Sequence, residues 1–154
     1  VGLQDWTDLL AALDLFEIEY LIIGGLAYGI HAEPRYTKDL DILVHVNPDS
    51  ADRLFEALKQ FGAPIQFMRP SDFLKPDFVF YFGSPPWRID VLTSIPGVDF
   101  SSAYQDRITA ELGGYRATFI SKDWLIRAKV ESGRPQDLVD VTVLRMSQDS
   151  PDQA

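Results

Sequence analysis

A glycine doublet, Gly24-Gly25, followed at short range by Asp39-Leu40-Asp41 at the head of a β run, constrains this chain more than any other feature. The stretch Leu21 to Val46 reads as strand, Gly-Gly turn, short helix, basic loop and second strand. Side chains alternate across a strand. Asp39, Asp41, Leu43 and His45 therefore share one face, and Leu40, Ile42, Val44 and Val46 share the other. The second face is a core face with nothing polar in it. The first opens on two carboxylates two residues apart, which repel one another unless a cation or a proton is supplied. That pattern points to a metal site.

With 154 residues, 46% of them hydrophobic, the chain can bury a core as a single domain, expected over residues 1–147 with a disordered tail at 148–154. It has no cysteine, which excludes disulfides, thiolate nucleophiles and Cys-based zinc sites. No apolar run reaches the length of a membrane span, and the first residues lack a basic-then-apolar leader pattern, so the expected setting is cytoplasmic. The net charge of −9 argues against gripping nucleic acid by bulk electrostatics. An anionic substrate must instead be met by local positive charge, of which Arg35, Lys38, Arg127, Lys129 and Arg134 are the sources, or by bound metal.

Apolar spacing predicts an amphipathic helix from about Leu3 to Phe16, packing on the sheet, and a buried strand Tyr20–Ile23. A helix from Leu26 to about Ala32 must stop before Pro34. Strand Leu40–Val46 precedes a helix opened by Asn47-Pro48-Asp49 and closed by Gly62. Residues 63–76 read as loop with a short strand or a turn of helix. Phe78–Phe82 and Trp87–Leu92 form an expected hairpin across Gly83-Ser84-Pro85-Pro86, with Arg88, Asp90 and Leu92 on one face. A second hairpin joins Ile108–Leu112 to Tyr115–Ile120. Ser121 caps a helix over Lys122–Ser132 that Gly133 closes, and Pro135 opens a last helix with Leu138, Val141 and Leu144 on one face.

Asp39, Asp41 and Asp90 are the expected metal ligands if their strands are neighbours. Oxygen-only donors with open positions suit Mg²⁺ or Mn²⁺, completed by substrate phosphates. The competing reading pairs each aspartate with a nearby base, Asp39 with Lys38 or Arg35. Gly24-Gly25 before a helix offers backbone approach and free amides to a phosphate, although a plain tight turn explains a glycine pair equally well. Arg35 and Thr37 either contact a triphosphate or, for Arg35, simply pair with Asp39. Lys129 either snorkels from the core edge or reaches phosphates. Asp137 either contributes to a nucleotide site or compensates a helix dipole and pairs with Arg134. His31 and His45 read as structural, and Trp87 and Tyr28 as base-stacking residues or core.

Taken together, Gly-Gly, Arg35-x-Thr37-x-Asp39-x-Asp41, the strand residue Asp90, Lys129 and Arg134-Pro-Gln-Asp137 resemble the nucleotidyltransferases of the polymerase-β-like superfamily. Within it, the resemblance is to small stand-alone proteins similar to the AbiEii and MenT toxins of bacterial toxin–antitoxin systems. It covers Leu21 to about Leu144, with Gly25 standing where the wider superfamily often has serine. The resemblance implies a minimal polymerase-β-like α/β (α+β) fold: a small mixed sheet flanked by helices, with a C-terminal helical pair. It implies Asp39, Asp41, Asp90 and Lys129 as catalytic residues and Gly24, Gly25, Arg35, Thr37, Lys129 and Asp137 as nucleotide-binding ones. The substrate would be an NTP, with Mg²⁺ or Mn²⁺ on the aspartates. The acceptor stays open between tRNA, a protein hydroxyl and an antibiotic, and an antitoxin partner is implied. The alternatives are a non-catalytic nucleotide-binding or interaction module on the same scaffold, and a subunit whose activity needs another chain.

Overall fold

Thirty residues, drawn from every part of the chain except its ends, form one buried apolar cluster, and the sheet runs through it. The structure, a computed structural model, describes residues 2–147, so the tail expected at 148–154 lies outside the described residues. The elements in chain order are α1 (Leu3–Leu15), β1 (Tyr20–Ile23), α2 (Gly24–His31), β2 (Asp39–Val44), α3 (Pro48–Phe61), β3 (Val79–Phe82), β4 (Arg88–Leu92), α4 (Phe100–Gln105), β5 (Ile108–Leu112), β6 (Tyr115–Phe119), α5 (Lys122–Ser132) and α6 (Pro135–Met146). A 3-10 turn, Pro70–Leu74, occupies the segment expected to be loop with a turn of helix.

The six strands make one mixed sheet in the order β3-β4-β2-β1-β6-β5. β1 runs antiparallel to β2 and parallel to β6, while β2 runs parallel to β4. Both expected hairpins form, β3–β4 and β5–β6, at the two ends of the sheet. The central strand β1 is buried at all four positions, as a continuous apolar run predicts. β2 alternates only at its head, where Asp39 and Asp41 stay half-buried, and then buries Ile42, Leu43 and Val44 in succession.

Helix ends follow the expected chemistry. Asn47 and Ser50 exchange hydrogen bonds of 2.9 Å as a reciprocal cap on α3, and Gly62 ends it in the left-handed region at φ 98°. The Ser121 hydroxyl caps α5, and Gly133 closes it at φ 67°. α1 packs mainly on α3 rather than flat on the sheet, and Trp6 meets Trp87 edge-on at 5.3 Å, so Trp87 is engaged in packing. α2, α5 and α6 pack together as a second group.

Two boundaries differ from expectation in a way that matters for the site. α2 begins at Gly24 itself, so the glycine doublet is the first turn of the helix and not a loop before it. β2 begins at Asp39, which brings both aspartates inside the hydrogen-bonded ladder. In α6 the expected stripe is displaced. Leu138 is 49% exposed, whereas Asp137, Asp140, Val141 and Leu144 are buried. Apolar spacing could not reveal this, because the buried face carries two carboxylates whose neutralising partners come from other elements.

Replacing Ile42, fully buried in β2, by alanine is expected to cost about 2–5 kcal/mol in urea unfolding followed by circular dichroism. Leu138→Ala is expected to change stability by no more than about 0.5 kcal/mol. Equal losses would return Leu138 to the core.

Candidate active site

Parallel pairing of β2 with β4 decides the geometry of the site. Asp41 stands directly opposite Asp90 across the ladder, and Asp39 opposite Arg88. Paired residues in a sheet share a face, so Asp39, Asp41 and Asp90 form one row. On its other flank β2 pairs with β1, where Ile23 is the partner of Asp41. The next residue, Gly24, therefore starts α2 against that carboxylate. A Cβ at Gly24 would lie 2.3 Å from Asp41 Oδ2, and its φ of +69° already disfavours any other residue. At Gly25 a Cβ would come within 3.3 Å of the Thr37 side chain. Gly24 thus brings backbone to carboxylate, and Gly25 makes room for the loop entering β2.

These residues open into a cleft of about 430 Å³. Its wall includes Gly24, Asp39, Asp41 and Asp90 from the sheet side, and Lys129, Ser132, Arg134 and Asp137 from α5 and the start of α6. Six of the nine residues expected at a site, Gly24, Asp39, Asp41, Asp90, Lys129 and Asp137, line this one space. Gly25, Arg35 and Thr37 are not part of its wall. Thr37 organises the entry to β2, its hydroxyl accepting from the Asp39 amide at 3.2 Å.

Burial, first, and then the charges of Asp90 and Asp39 push the Asp41 carboxyl up from 3.8 to about 7; a hydrogen bond with Asp90 adds to this, and Arg88 opposes it. Burial among like charges therefore favours the neutral form of Asp41. Asp90 is also gripped by Arg88, Nε to Oδ1 at 2.7 Å and Nη2 to Oδ2 at 3.0 Å. The competing sequence reading, that each aspartate pairs with a nearby base, holds for Asp90 alone. Asp39 forms no ion pair among the described residues.

Arg35 does not pair with Asp39, the simpler of its two sequence readings. It stands over the Tyr28 ring, 3.7 Å from its centroid, and grips Asp140 through both terminal nitrogens at 2.6 and 3.0 Å. Lys129 joins the same carboxylate at 2.9 Å and stands 3.6 Å from Asp137. Gln136 donates a further bond at 2.9 Å. The Arg35 guanidinium, more than any other group, holds Asp140 well below the usual carboxylate range; burial opposes it, and Lys129 and Gln136 assist. Burial would raise Asp137, but the Arg134 guanidinium, the Ser132 hydroxyl and Lys129 reverse that and leave it lowered. The Arg134 pairing anticipated for Asp137 is thus present, with Nε 2.7 Å from Oδ2.

Sequence reasoning gave Arg134 only as a general source of positive charge and did not single out Asp140, the carboxylate that binds Arg35 and Lys129 behind the cleft. The signal for Asp140 was its i, i+3 spacing from Asp137, which puts both on one helix face. For Arg134 it was its place at the head of α6, where its 77%-exposed side chain lines the cleft while paired with Asp137. His31 and His45 are structural as expected: His31 Nε2–H donates to the Ile120 carbonyl at 2.7 Å, and His45 stands 3.5 Å from Glu19. Tyr28 is buried beneath Arg35 and offers no face to a base.

The donor set, three carboxylates in a row on one face of the sheet, fits a hard divalent cation. Among the described residues, no three carboxylate or imidazole groups converge tightly enough to enclose an ion.

No protein-family profile matches the sequence, and no curated protein matches it either. Solved structures do match. One is an antigenic nucleotidyltransferase-like protein from Paracoccidioides brasiliensis, at TM-score 0.54 and 22% identity over 93% of this chain and 75% of that one. A second is the antibiotic-resistance factor ANT(2'')-Ia, at TM-score 0.59 and 15% identity over 92% and 81% of the two chains. This chain has the nucleotidyltransferase fold. A third match is the lincosamide antibiotic adenylyltransferase LnuA with lincomycin bound, at TM-score 0.51 and 11% identity over 93% and 96%. At these identities the likeness concerns the fold alone. The six-stranded mixed sheet and its helices agree with the fold expected from sequence.

Asp41 and Asp140 should respond to pH with opposite signs. Asp41 is protonated in the folded protein over a range where the unfolded chain has already ionised. Its contribution is therefore greatest below about pH 4 and is lost as pH rises through about 7. In EDTA, Asp41→Asn should accordingly gain stability over wild type between pH 4 and pH 8, on the order of 2 kcal/mol. Asp140, with its pKa depressed, stabilises above the ordinary carboxylate range and ceases to do so in acid. Asp140→Asn should cost about 3 kcal/mol at pH 7 and less at pH 3. Urea unfolding at the two ends of each range checks both; parallel pH profiles for wild type and variants would refute the assignments.

Proposed function

We propose that this protein is a metal-dependent nucleotidyltransferase that moves a nucleoside monophosphate from an NTP to an acceptor hydroxyl and releases pyrophosphate. The observation that carries the reading is the single cleft in which the Asp39, Asp41 and Asp90 row faces the first turn of α2 on one side and Lys129 with Arg134 on the other. Asp39, Asp41 and Asp90 would hold Mg²⁺ or Mn²⁺. When bound, such ions lower the pKa of an attacking hydroxyl and neutralise charge on the leaving pyrophosphate.

The chain's own residues supply the rest. The amides at the head of α2 meet phosphate oxygens, and glycine at position 24 lets the backbone come this close. Lys129 and Arg134 face the same space as fixed cations for the triphosphate. The acceptor oxygen forms its bond to the α-phosphorus as the bond to the pyrophosphate oxygen breaks, and the hydroxyl proton passes to a carboxylate of the row. Arg35 does not contact nucleotide in this reading. Bound to Asp140, it holds α6 against α2 and so sets where Lys129 stands.

The resemblance to AbiEii and MenT toxins supports a tRNA end or a protein hydroxyl as acceptor, with an antitoxin as partner. A small-molecule acceptor is the second reading. A separate groove of about 440 Å³ shares Asp39 with the main cleft and is lined by Tyr81, Phe82, Trp87 and Arg88, a size suited to one small ligand. Among the described residues no helix is long and apolar enough to cross a membrane.

Incubation with each α-³²P-labelled NTP, Mg²⁺ or Mn²⁺, and total RNA, total protein or a panel of hydroxylated antibiotics should label one acceptor class. The Asp39→Ala/Asp41→Ala double variant should label none. Arg134→Gln should raise KM for the NTP about tenfold with little change in Tm. Labelling that survives the double substitution would overturn the proposal, and no labelling of any acceptor would favour a non-catalytic module on this fold.

A further inference from the structure

Arg88 is the one basic side chain that engages the carboxylate row directly among the described residues, and its geometry is specific. It precedes Asp90 by two residues on β4, so both side chains emerge on the same face of an edge-proximal strand. The guanidinium forks onto both oxygens of Asp90 at 2.7 and 3.0 Å. At the same time it stands over the Tyr81 ring, 4.7 Å from the centroid, on the neighbouring strand β3. Tyr81 is the cross-strand partner of Asp90, and at 63% exposure its face is open to solvent. Arg88 thus has two resting partners, a carboxylate and an aromatic face, within reach of one conformation.

We propose that Arg88 is the resident counter-ion of this row: it occupies Asp90 when no divalent cation is present, and it gives up Asp90 while keeping Tyr81 when a cation takes the carboxylates. The inference rests on reading the row as a divalent-cation site and goes beyond it by naming what the cation must displace. Three observations favour a displaceable partner over a fixed structural bridge. The Arg88 side chain is half exposed, so its guanidinium can leave Asp90 for water without opening the core. The pair is local, two residues apart on one strand, so breaking it moves no secondary structure. And Asp90 is the member of the row that Arg88 grips by both oxygens, the ones a cation would need. A cation–π contact retains a released guanidinium near the site at low cost. There Arg88 also lines the groove that shares Asp39 with the main cleft. Metal occupancy and the shape of that groove are therefore coupled through one side chain.

The test is Mn²⁺ binding to the full chain without nucleotide, read from the electron paramagnetic resonance signal of free Mn²⁺, with Arg88→Gln, Arg88→Lys, Lys38→Gln and Asp41→Asn beside wild type. Lys38 lies next to Arg88, its carbonyl accepting from the Arg88 amide, and controls for the loss of one nearby charge. Arg88→Gln should bind Mn²⁺ roughly three- to tenfold more tightly. Arg88→Lys, which keeps the charge but loses the fork, should also bind more tightly than wild type, and Lys38→Gln should change affinity less than twofold. In ¹⁵N-labelled wild type, the Arg88 Nε–H resonance should shift on adding Mg²⁺ while that of Arg35 stays in place. Unchanged or weaker binding in Arg88→Gln, or equal gains in Arg88→Gln and Lys38→Gln with none in Arg88→Lys, would overturn the proposal. Those outcomes leave the metal reading standing provided that Asp41→Asn abolishes binding. Absence of Mn²⁺ binding in wild type would overturn both.

Discussion

Three carboxylates side by side on adjacent parallel strands are an electrostatic problem, and much of the surrounding structure is organised as its answer. Repulsion within the row raises the Asp41 carboxyl, which burial already pushes up, and is partly relieved by the Arg88 fork on Asp90. Neither removes the charge of Asp39, which stays at the cleft wall without an ion pair among the described residues. The strands tolerate this because the opposite face of β2 is wholly apolar and buried, so that the ladder is anchored from behind.

The second charged cluster solves a different problem. Asp140 is almost fully buried, and a carboxylate in that position is tolerated only with close partners. Arg35 comes from the loop after α2, Lys129 from α5 and Gln136 from α6 itself, so one carboxylate ties three elements together. The consequence for function is positional. Lys129 stands at the cleft because Asp140 holds it there, and the Tyr28 ring under Arg35 fixes the other side of the same clasp. Both clusters rely on planar guanidinium forks, which give direction as well as charge.

Much of this was readable along the chain. Apolar period placed both hairpins and the long helices α1, α3, α5 and α6, and capping chemistry located the ends of α3 and α5 closely. Asp39 and Asp41 could be assigned to one face because a strand has a period of two. Asp90 could be nominated as an aspartate inside a β run, but nothing local showed that β4 lies beside β2. The last helix was misread for a physical reason: apolar spacing takes buried positions to be apolar, and two of the buried positions of α6 are aspartates. The partner of Arg35 was likewise out of reach along the chain: Asp39, four residues on, was one candidate, yet the carboxylate it grips is Asp140, 105 residues away.

What the sequence by itself determined is therefore what depends on neighbours along the chain: the elements, their caps, the two-residue spacing that aligns Asp39 with Asp41, and the glycine that only a close backbone approach explains. Tertiary structure decided what depends on neighbours in space. Parallel pairing of β2 with β4 put Asp90 opposite Asp41, and the packing of α5 and α6 on α2 carried Lys129 and Arg134 to the same cleft. Ion pairing obeys distance and not sequence order, because the Coulomb term falls with separation in space. Which cation answers which carboxylate could be read only once the chain had folded.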